Sequence, residues 1–265
     1  MTESSINNKE LIVDVKDGIC ILRLNRPHRR NALSDSLKIQ LVEEVLSAES
    51  NDEIRVVVFT GTGDAAFCSG RDLKDAVEND NQGKRFSHPM NQVERNLFEV
   101  VYEMKKPTIA AINGSAVAGG FELALACDLR VTHADALFGL PEAKIGMGAN
   151  FGSVILPRLI SPTFALEMLM TGEYIDAKEA YRLGLLNKIV EPDQVLAVST
   201  ALARVIADNA PISVRRVKAI AMRGLDMSVS SALRQDPGMN PYLSEDRKEG
   251  IKARIEKRKP IWKNR

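Results

Sequence analysis

A chain of 265 residues, 45% hydrophobic and 27% charged, is long enough to bury a sizeable core and has an ordinary globular composition. Lys and Arg number 36 against 35 Asp and Glu, a formal net charge of +1, so no global field draws the chain to nucleic acid or to an acidic membrane. No apolar run of about 18 residues occurs, the opening MTESSINNKE has no secretory or transit pattern, and Cys20, Cys68 and Cys127 form no C-x-x-C; a cytoplasmic setting with buried free thiols is expected.

Leu11 to Val15 and Ile19 to Leu24 are short β-type runs separated by Asp17 and Gly18, a hairpin signal. Ser34 suits the cap of a helix in which Leu37, Leu41, Val42, Val45 and Leu46 recur at helical spacing. Ile54 to Thr60 reads as a buried strand, and GTGDAA at 61–66 has the G-x-G-x-x-A spacing of a dinucleotide-binding turn. Phe67, Cys68, Ser69 and Gly70 interrupt where the phosphate-binding helix has to run on, so that motif fails on context. The polar segment from Asp72 to Arg95, with scattered Phe86 and Met90, reads as a mobile loop or lid. Helical periodicity resumes from Asn91 to Met104.

The chemistry is concentrated in the next stretch, Lys105 to Glu142. Pro107 blocks helix continuation, Thr108 to Ile112 form a buried strand, and Asn113 and Gly114 supply a turn. Gly119 and Gly120 stand before FELALACD, so a helix N-terminus opens behind two glycines, where unpaired backbone N–H groups and the helix dipole stabilise negative charge. Glu122 sits in the first helical turn, and Glu142 follows Pro141 at the end of a second apolar stretch, 20 positions on. Two readings stand on the residues alone: a pair of carboxylates flanking an oxyanion site, or two acidic residues placed where any helix start favours them. Gly114 and Gly119 have P-loop spacing, but Gly120 and Phe121 replace the required Lys and Ser or Thr. Beyond Glu142, Leu166 to Met170 and Asp176 to Leu183 read as short helices, and helical patterns dominate from Pro192 onward. The layout predicts an α/β core over 1–191 and a helical region over 192–265. His28, His88 and His133 are isolated surface or loop residues on this reading, and no metal is required.

The string KKPTIAAINGSAVAGGFELALACDLRVTHADALFGLPEAKIG resembles the crotonase family, the enoyl-CoA hydratase and isomerase superfamily. NRPHRRNAL at 25–33, VVVFTGTGDAAFCSGRDLKD at 56–75, MLMTGEYIDAKEAYRLGLLNKIV at 168–190 and EGIKARIEKRKPIWK at 249–263 are similar to the family's other blocks in the same order. The resemblance covers nearly the whole chain. It implies a right-handed spiral of β-β-α turns, with a C-terminal helical region that packs in trimers or dimers of trimers. It also implies an acyl-CoA substrate whose CoA is part of the substrate, so no separate cofactor is expected.

Residue by residue, the resemblance assigns the thioester oxyanion to the backbone N–H groups of Arg71 and Gly119. Glu122 holds and activates water, and Glu142 delivers a proton to the α-carbon, so a hydratase acting on a 2-enoyl thioester is implied. The backbone around Ala66 to Cys68 is assigned to the adenine, and Arg26, Lys74 and basic residues near the C-terminus to the CoA phosphates. One departure stands out. Where the family typically reads IPGAGGTQRL, this chain has MGANFGSVILPRL at 147–159, with Asn150 and Phe151 close to the acyl site, so a substituted, cyclic, aromatic or carnitinyl-like acyl group is expected. Two rivals remain: a double-bond isomerase on the same fold, and a nucleic-acid binder using the nine Lys and Arg of residues 247–265. That tail lacks interleaved aromatics beyond Trp262, and a phosphate-bearing ligand explains its charge more economically. Apolar residues such as Val195 to Val198 are expected to carry subunit association.

Overall fold

The computed structural model describes residues 9–83 and 94–265; Phe86, His88 and Met90 lie outside the described residues. Strands β1 (Leu11–Lys16) and β2 (Ile19–Leu24) form the expected antiparallel hairpin. Asp17 and Gly18 both take positive φ, 50° and 79°, as a two-residue turn matched to the strand twist requires. Helix α1 (Asp35–Ser50) begins where the Ser34 hydroxyl accepts the Leu37 N–H at 3.0 Å, and it buries Leu37, Leu41, Val45 and Ala48 along one stripe.

The chain then repeats one motif. Strands β3 (Val56–Gly61) and β4 (Ala66–Cys68) lead to helices α2 (Leu73–Asn81) and α3 (Leu97–Tyr102). Strands β5 (Thr108–Ile112) and β6 (Ser115–Val117) lead to α4 (Gly119–Ala126). Strands β7 (Leu129–His133) and β8 (Leu137–Gly139) lead to a 3₁₀ turn, Pro141–Ile145, and α5 (Asn150–Leu159). There follow α6 (Pro162–Thr171), β9 (Ile175–Asp176), α7 (Ala177–Arg182) and β10 (Lys188–Val190), then α8 (Val195–Ala207), α9 (Pro211–Gly224), α10 (Val229–Ala232) and α11 (Glu245–Ile255). The first strand of each repeat enters a six-stranded sheet ordered β1-β2-β3-β5-β7-β10, and the second enters a four-stranded sheet ordered β4-β6-β8-β9. This is the α/β spiral of β-β-α turns expected from the sequence blocks.

Alternation within β3 divides the core. Val57 and Phe59 face the main cluster between the sheets and helices, packed with Phe67, Phe121 and Phe138, while Val56 and Val58 face a second cluster with Ile109 and Ala111. Helix α8 closes that second cluster with Val195, Ala203 and Ala207. Val195 is therefore buried against the sheet within its own chain, which corrects the expectation that Val195 to Val198 form an uncovered apolar face. A boundary at residue 191 separates α8 from strands it covers.

Two further expectations change. Leu73–Asn81 is a helix, capped by the Asp72 carboxylate, where the polar composition of 72–95 read as a loop. His133 is a buried strand residue, 6% exposed, so of the two described histidines only His28 is at the surface. The expected helix over 91–104 is confined to α3 among the described residues, started by a capping box between Asn96 and Glu99.

Helix α4 packs tightly on β4 at Gly120, where an added Cβ would run into the Cys68 carbonyl and lie 2.8 Å from the Cys68 Cβ. Gly120→Ala is expected to destabilise the protein by about 1–3 kcal/mol or more through overpacking, read as a lowered urea midpoint at unchanged slope.

Candidate active site

Strands β4, β6 and β8 run parallel, with Cys68 opposite Ala116, Ala116 opposite Phe138 and Val117 opposite Gly139. Parallel register delivers whatever follows each strand to the same edge of the sheet. Gly70 and Arg71 follow β4, Gly119 and α4 follow β6, and Pro141 and Glu142 follow β8. Four residues singled out in the sequence, Arg71, Gly119, Glu122 and Glu142, are thereby brought to one edge.

The turn into α4 is strained. Ala118 takes φ 52° and ψ −130°, a region that side chains rarely adopt and that costs about 1–3 kcal/mol. Its N–H bonds the Gly139 carbonyl at 2.9 Å, and its own carbonyl receives the N–H groups of Phe121 and Glu122 at 2.8 and 2.9 Å. The strain lets α4 start with no intervening loop, so the Gly119 and Gly120 N–H groups head a helix that offers them no acceptor. Gly70, at φ 88°, allows the neighbouring segment to close in: a Cβ there would lie 2.9 Å from the Gly119 nitrogen. Leu33 holds this segment from the other side, donating to the Gly70 carbonyl at 2.7 Å and accepting from the Asp72 N–H at 3.1 Å. Alternation along the chain then turns the N–H and C=O of Arg71 away from Leu33. At the far end of α4, the buried Arg130 guanidinium donates to the Cys127 and Ala124 carbonyls at 2.6 and 3.2 Å, a cation at the negative end of the dipole.

Glu122 and Glu142 are 6% and 7% exposed. Burial pushes the Glu122 carboxyl up to about 7; the nearby Glu142 charge adds to the rise, while the backbone N–H groups of Gly152 and Phe151 offset part of it. The Gly152 N–H reaches Glu122 Oε1 at 2.8 Å, across 30 positions of sequence. Burial also raises the Glu142 carboxyl, and its Oε2 has no hydrogen-bond partner among the described residues. Both carboxyls are thus held above the ordinary glutamate range by burial, and the Glu142 charge is felt at Glu122.

An aromatic wall stands beside this pair. The Phe151 ring lies 5.7 Å from Phe98 and 5.9 Å from Tyr102, the latter edge-on, and Phe98 would be 3.4 Å from a Cβ on Gly119. Phe151 stood out in the sequence; Phe98 and Tyr102, one helical turn apart on α3, did not, because their spacing is that of any buried helix face. Gly152 and Arg130 were likewise missed, since neither carries a motif.

The residues expected to hold CoA are dispersed. Arg26 is 8% exposed, with Nε 2.7 Å from Glu10, Nη2 2.9 Å from Asp72 and Nη1 2.7 Å from the Ala32 carbonyl. All three guanidinium nitrogens are committed inside the fold, which corrects its assignment to the phosphates. Ala66 and Cys68 are buried residues of β4; the Ala66 carbonyl accepts from Asn31 Nδ2 at 2.8 Å, and burial pushes the Cys68 thiol up to about 12. Lys74 lies exposed in the first turn of α2. At the C-terminus, Arg258 forks onto Glu249 at 2.6 and 2.9 Å, holding that carboxyl down at about 2, and Lys263 pairs with Glu245 at 3.1 Å. Those basic residues neutralise acidic neighbours and do not form a continuous cationic track of the kind nucleic acid needs.

A family model described as enoyl-CoA hydratase/isomerase matches residues 14–265. A crotonyl-CoA hydratase of Syntrophomonas wolfei is 32% identical over 254 residues, covering 95% of this chain and 96% of its own. A short-chain-enoyl-CoA hydratase of Clostridium acetobutylicum is 35% identical over 259 residues, 96% and 97% of the two chains. The crystal structure of enoyl-CoA hydratase from Mycobacterium tuberculosis H37Rv superposes with a TM-score of 0.87 at 33% identity, over 97% of this chain and 99% of that one.

Because the folded Glu122 carboxyl sits at about 7 against 4.5 for an unperturbed glutamate, the folded state binds the extra proton. Its penalty is absent below about pH 4.5, grows as pH rises through about 7, and then levels at about 3 kcal/mol at most. Glu122→Gln is therefore expected to melt higher than the parent at pH 8 and close to it at pH 4, a contrast that thermal denaturation at the two pH values checks.

Proposed function

The chain belongs to the enoyl-CoA hydratase/isomerase family, and we propose that it adds water reversibly and in syn fashion across the double bond of a 2-enoyl-CoA thioester, giving a 3-hydroxyacyl-CoA. The observation that carries this reading is the buried, electrostatically linked pair Glu122 and Glu142 beside the α4 N-terminus. Hydration needs one group to hold and deprotonate water and a second to protonate the α-carbon, and two buried carboxyls at one edge of the sheet offer a group for each role. Ionised Glu122 takes a proton from water as its oxygen bonds the β-carbon. The thioester carbonyl oxygen collects the displaced charge as an enolate, and protonated Glu142 then delivers its proton to the α-carbon.

The enolate oxygen is received by the backbone N–H groups of Arg71 and Gly119. Each such donor is worth about 3 kcal/mol in the transition state, and the positive end of α4 acts in the same direction. CoA belongs to the substrate, so the reaction calls on no separate cofactor, and Lys74 is the exposed basic side chain assigned to its phosphates. Phe98, Tyr102 and Phe151 exclude water from one side of the pair, which strengthens every charge interaction there. No single helix among the described residues is long and apolar enough to cross a membrane, and a cytoplasmic enzyme fits that composition.

Product analysis in ¹⁸O-labelled water with wild type and both glutamine variants tests the reading. Wild type is expected to give a 3-hydroxyacyl-CoA carrying solvent oxygen, and Glu142→Gln and Glu122→Gln each to lose at least about 100-fold in hydration rate. Movement of the double bond of a 3-enoyl ester without labelled hydroxyacyl product, with both variants near full activity, assigns the protein to isomerisation instead.

The region from α9 to α11 exposes Val217, Leu225, Val229, Leu233 and Ile255, all more than two-thirds accessible. Apolar residues at that density are covered on association, and a homotrimer or dimer of trimers is the assembly proposed. Sedimentation equilibrium is expected to return three or six times 29.2 kDa; a stable active monomer removes the proposal.

A further inference from the structure

We propose that Arg26, acting through Asp72, is a positioning residue for the oxyanion-binding backbone at Gly70–Arg71. The inference rests on the reading that the Arg71 N–H is one of the two donors. Asp72 directly follows Arg71, is 4% exposed, and spends its two oxygens on different tasks. Oδ1 accepts the Lys74 N–H at 3.1 Å and starts α2, while Oδ2 meets Arg26 Nη2 at 2.9 Å. Its N–H is held by the Leu33 carbonyl at 3.1 Å. The chain just beyond the donor is thus clamped at three points, and Arg26 supplies the only charged one of the three.

Arg26 is itself held rigidly. Its backbone N–H donates to Asn31 Oδ1 at 3.0 Å, its Nη1 to the Ala32 carbonyl at 2.7 Å, and its Nε pairs with Glu10 at 2.7 Å. Asn31, 1% exposed, extends the frame, because its Nδ2 donates to the Thr62 and Ala66 carbonyls at 3.0 and 2.8 Å on either side of the turn into β4. The Arg30 carbonyl takes the Ser69 N–H at 3.1 Å, and Leu33 takes up Gly70 and Asp72 as described. Residues 26–33 therefore brace β4 and the segment behind it along their whole length. Such a brace has a function only if the position of that segment matters, and a displacement of about 1 Å in a catalytic group costs on the order of 100-fold in rate.

A carboxylate is needed at 72. An asparagine there keeps one acceptor, so it either starts α2 or meets Arg26, and its amide hydrogens repel the guanidinium in the second role. Lysine at 26 keeps the charge and loses the planar fork that reaches Glu10, Asp72 and Ala32 together. Glu10→Gln weakens an Arg26 ion pair of similar length, to a part-exposed carboxylate just before β1, and it serves as the control for loss of an Arg26 ion pair that does not involve Asp72.

The test uses the full-length protein and an aryl-conjugated enoyl-CoA whose absorption band moves to longer wavelength when its thioester carbonyl is polarised by hydrogen bonds. Wild type is expected to bind it with a red shift. Asp72→Asn is expected to lose most of that shift and about 10- to 100-fold in kcat, with KM changed by less than about threefold, because the loss falls on transition-state binding. Arg26→Lys is expected to fall between the two, and Glu10→Gln to keep both the shift and kcat. Asp72→Asn with an undiminished shift and kcat overturns the inference, as does Glu10→Gln matching its losses, since the cluster then acts only on stability. A wild-type protein that binds the chromophore with no shift removes the donor reading itself, and this inference with it.

Discussion

Parallel pairing of β4, β6 and β8 is the constraint on which the candidate site depends. Three strands of three residues each are too short to carry much stability alone, yet their register fixes where the segments behind them emerge. Each repeat sends its first strand to the larger sheet, so the short strands are anchored by β3, β5 and β7, which bury apolar side chains on both faces. The site is thus assembled at the edge of a sheet whose own hydrogen bonds are secured elsewhere in the fold.

Close approach at that edge has a cost in conformation, and the chain meets it in two ways. Glycine is used at Gly70 and Gly120, where any side chain would strike backbone. At Ala118 the chain keeps a methyl group in a region glycine would occupy more easily, and the strain is sustained by the Gly139 bond on one side and the first turn of α4 on the other. Strain held by strong local bonding is what keeps a helix N-terminus aimed at a fixed point.

Buried charge is handled in opposite ways on the two sides of this edge. Around Arg26, opposite charges face each other, with Glu10 at 2.7 Å and Asp72 at 2.9 Å, although Asp72 Oδ2 has the ion pair without a well-directed hydrogen bond. Around Glu122 and Glu142, burial exceeds compensation: two backbone N–H groups for one carboxyl, and a partnerless oxygen on the other. The Asp72 carboxyl is held below the ordinary range, where its burial is outweighed by Arg26 and the Lys74 N–H, whereas burial raises Glu122 and Glu142, which is the difference between a structural carboxylate and an acid-base one.

Much of this was legible in the chain itself. The hairpin turn at Asp17 and Gly18, the Ser34 cap and the strand Thr108–Ile112 follow from local periodicity and turn chemistry, which suffice to read them; α4 was legible too, although it starts at Gly119 itself. The ordered blocks identify the family for a related reason: each repeats a local solution to the same packing problem. What lay beyond the sequence are pairings over distance. Arg26 meets Asp72, Gly152 meets Glu122 and Phe151 meets Phe98 only once the spiral has closed, and nothing in the spacing of an arginine distinguishes a phosphate ligand from a buried strut. Polar composition likewise misread α2 as a loop and apolar composition misread α8 as an uncovered face, because a cap at Asp72 and a sheet surface waiting for Val195 are properties of the folded neighbourhood. Residue type determined what each group can do; the tertiary structure decided which partner it does it with.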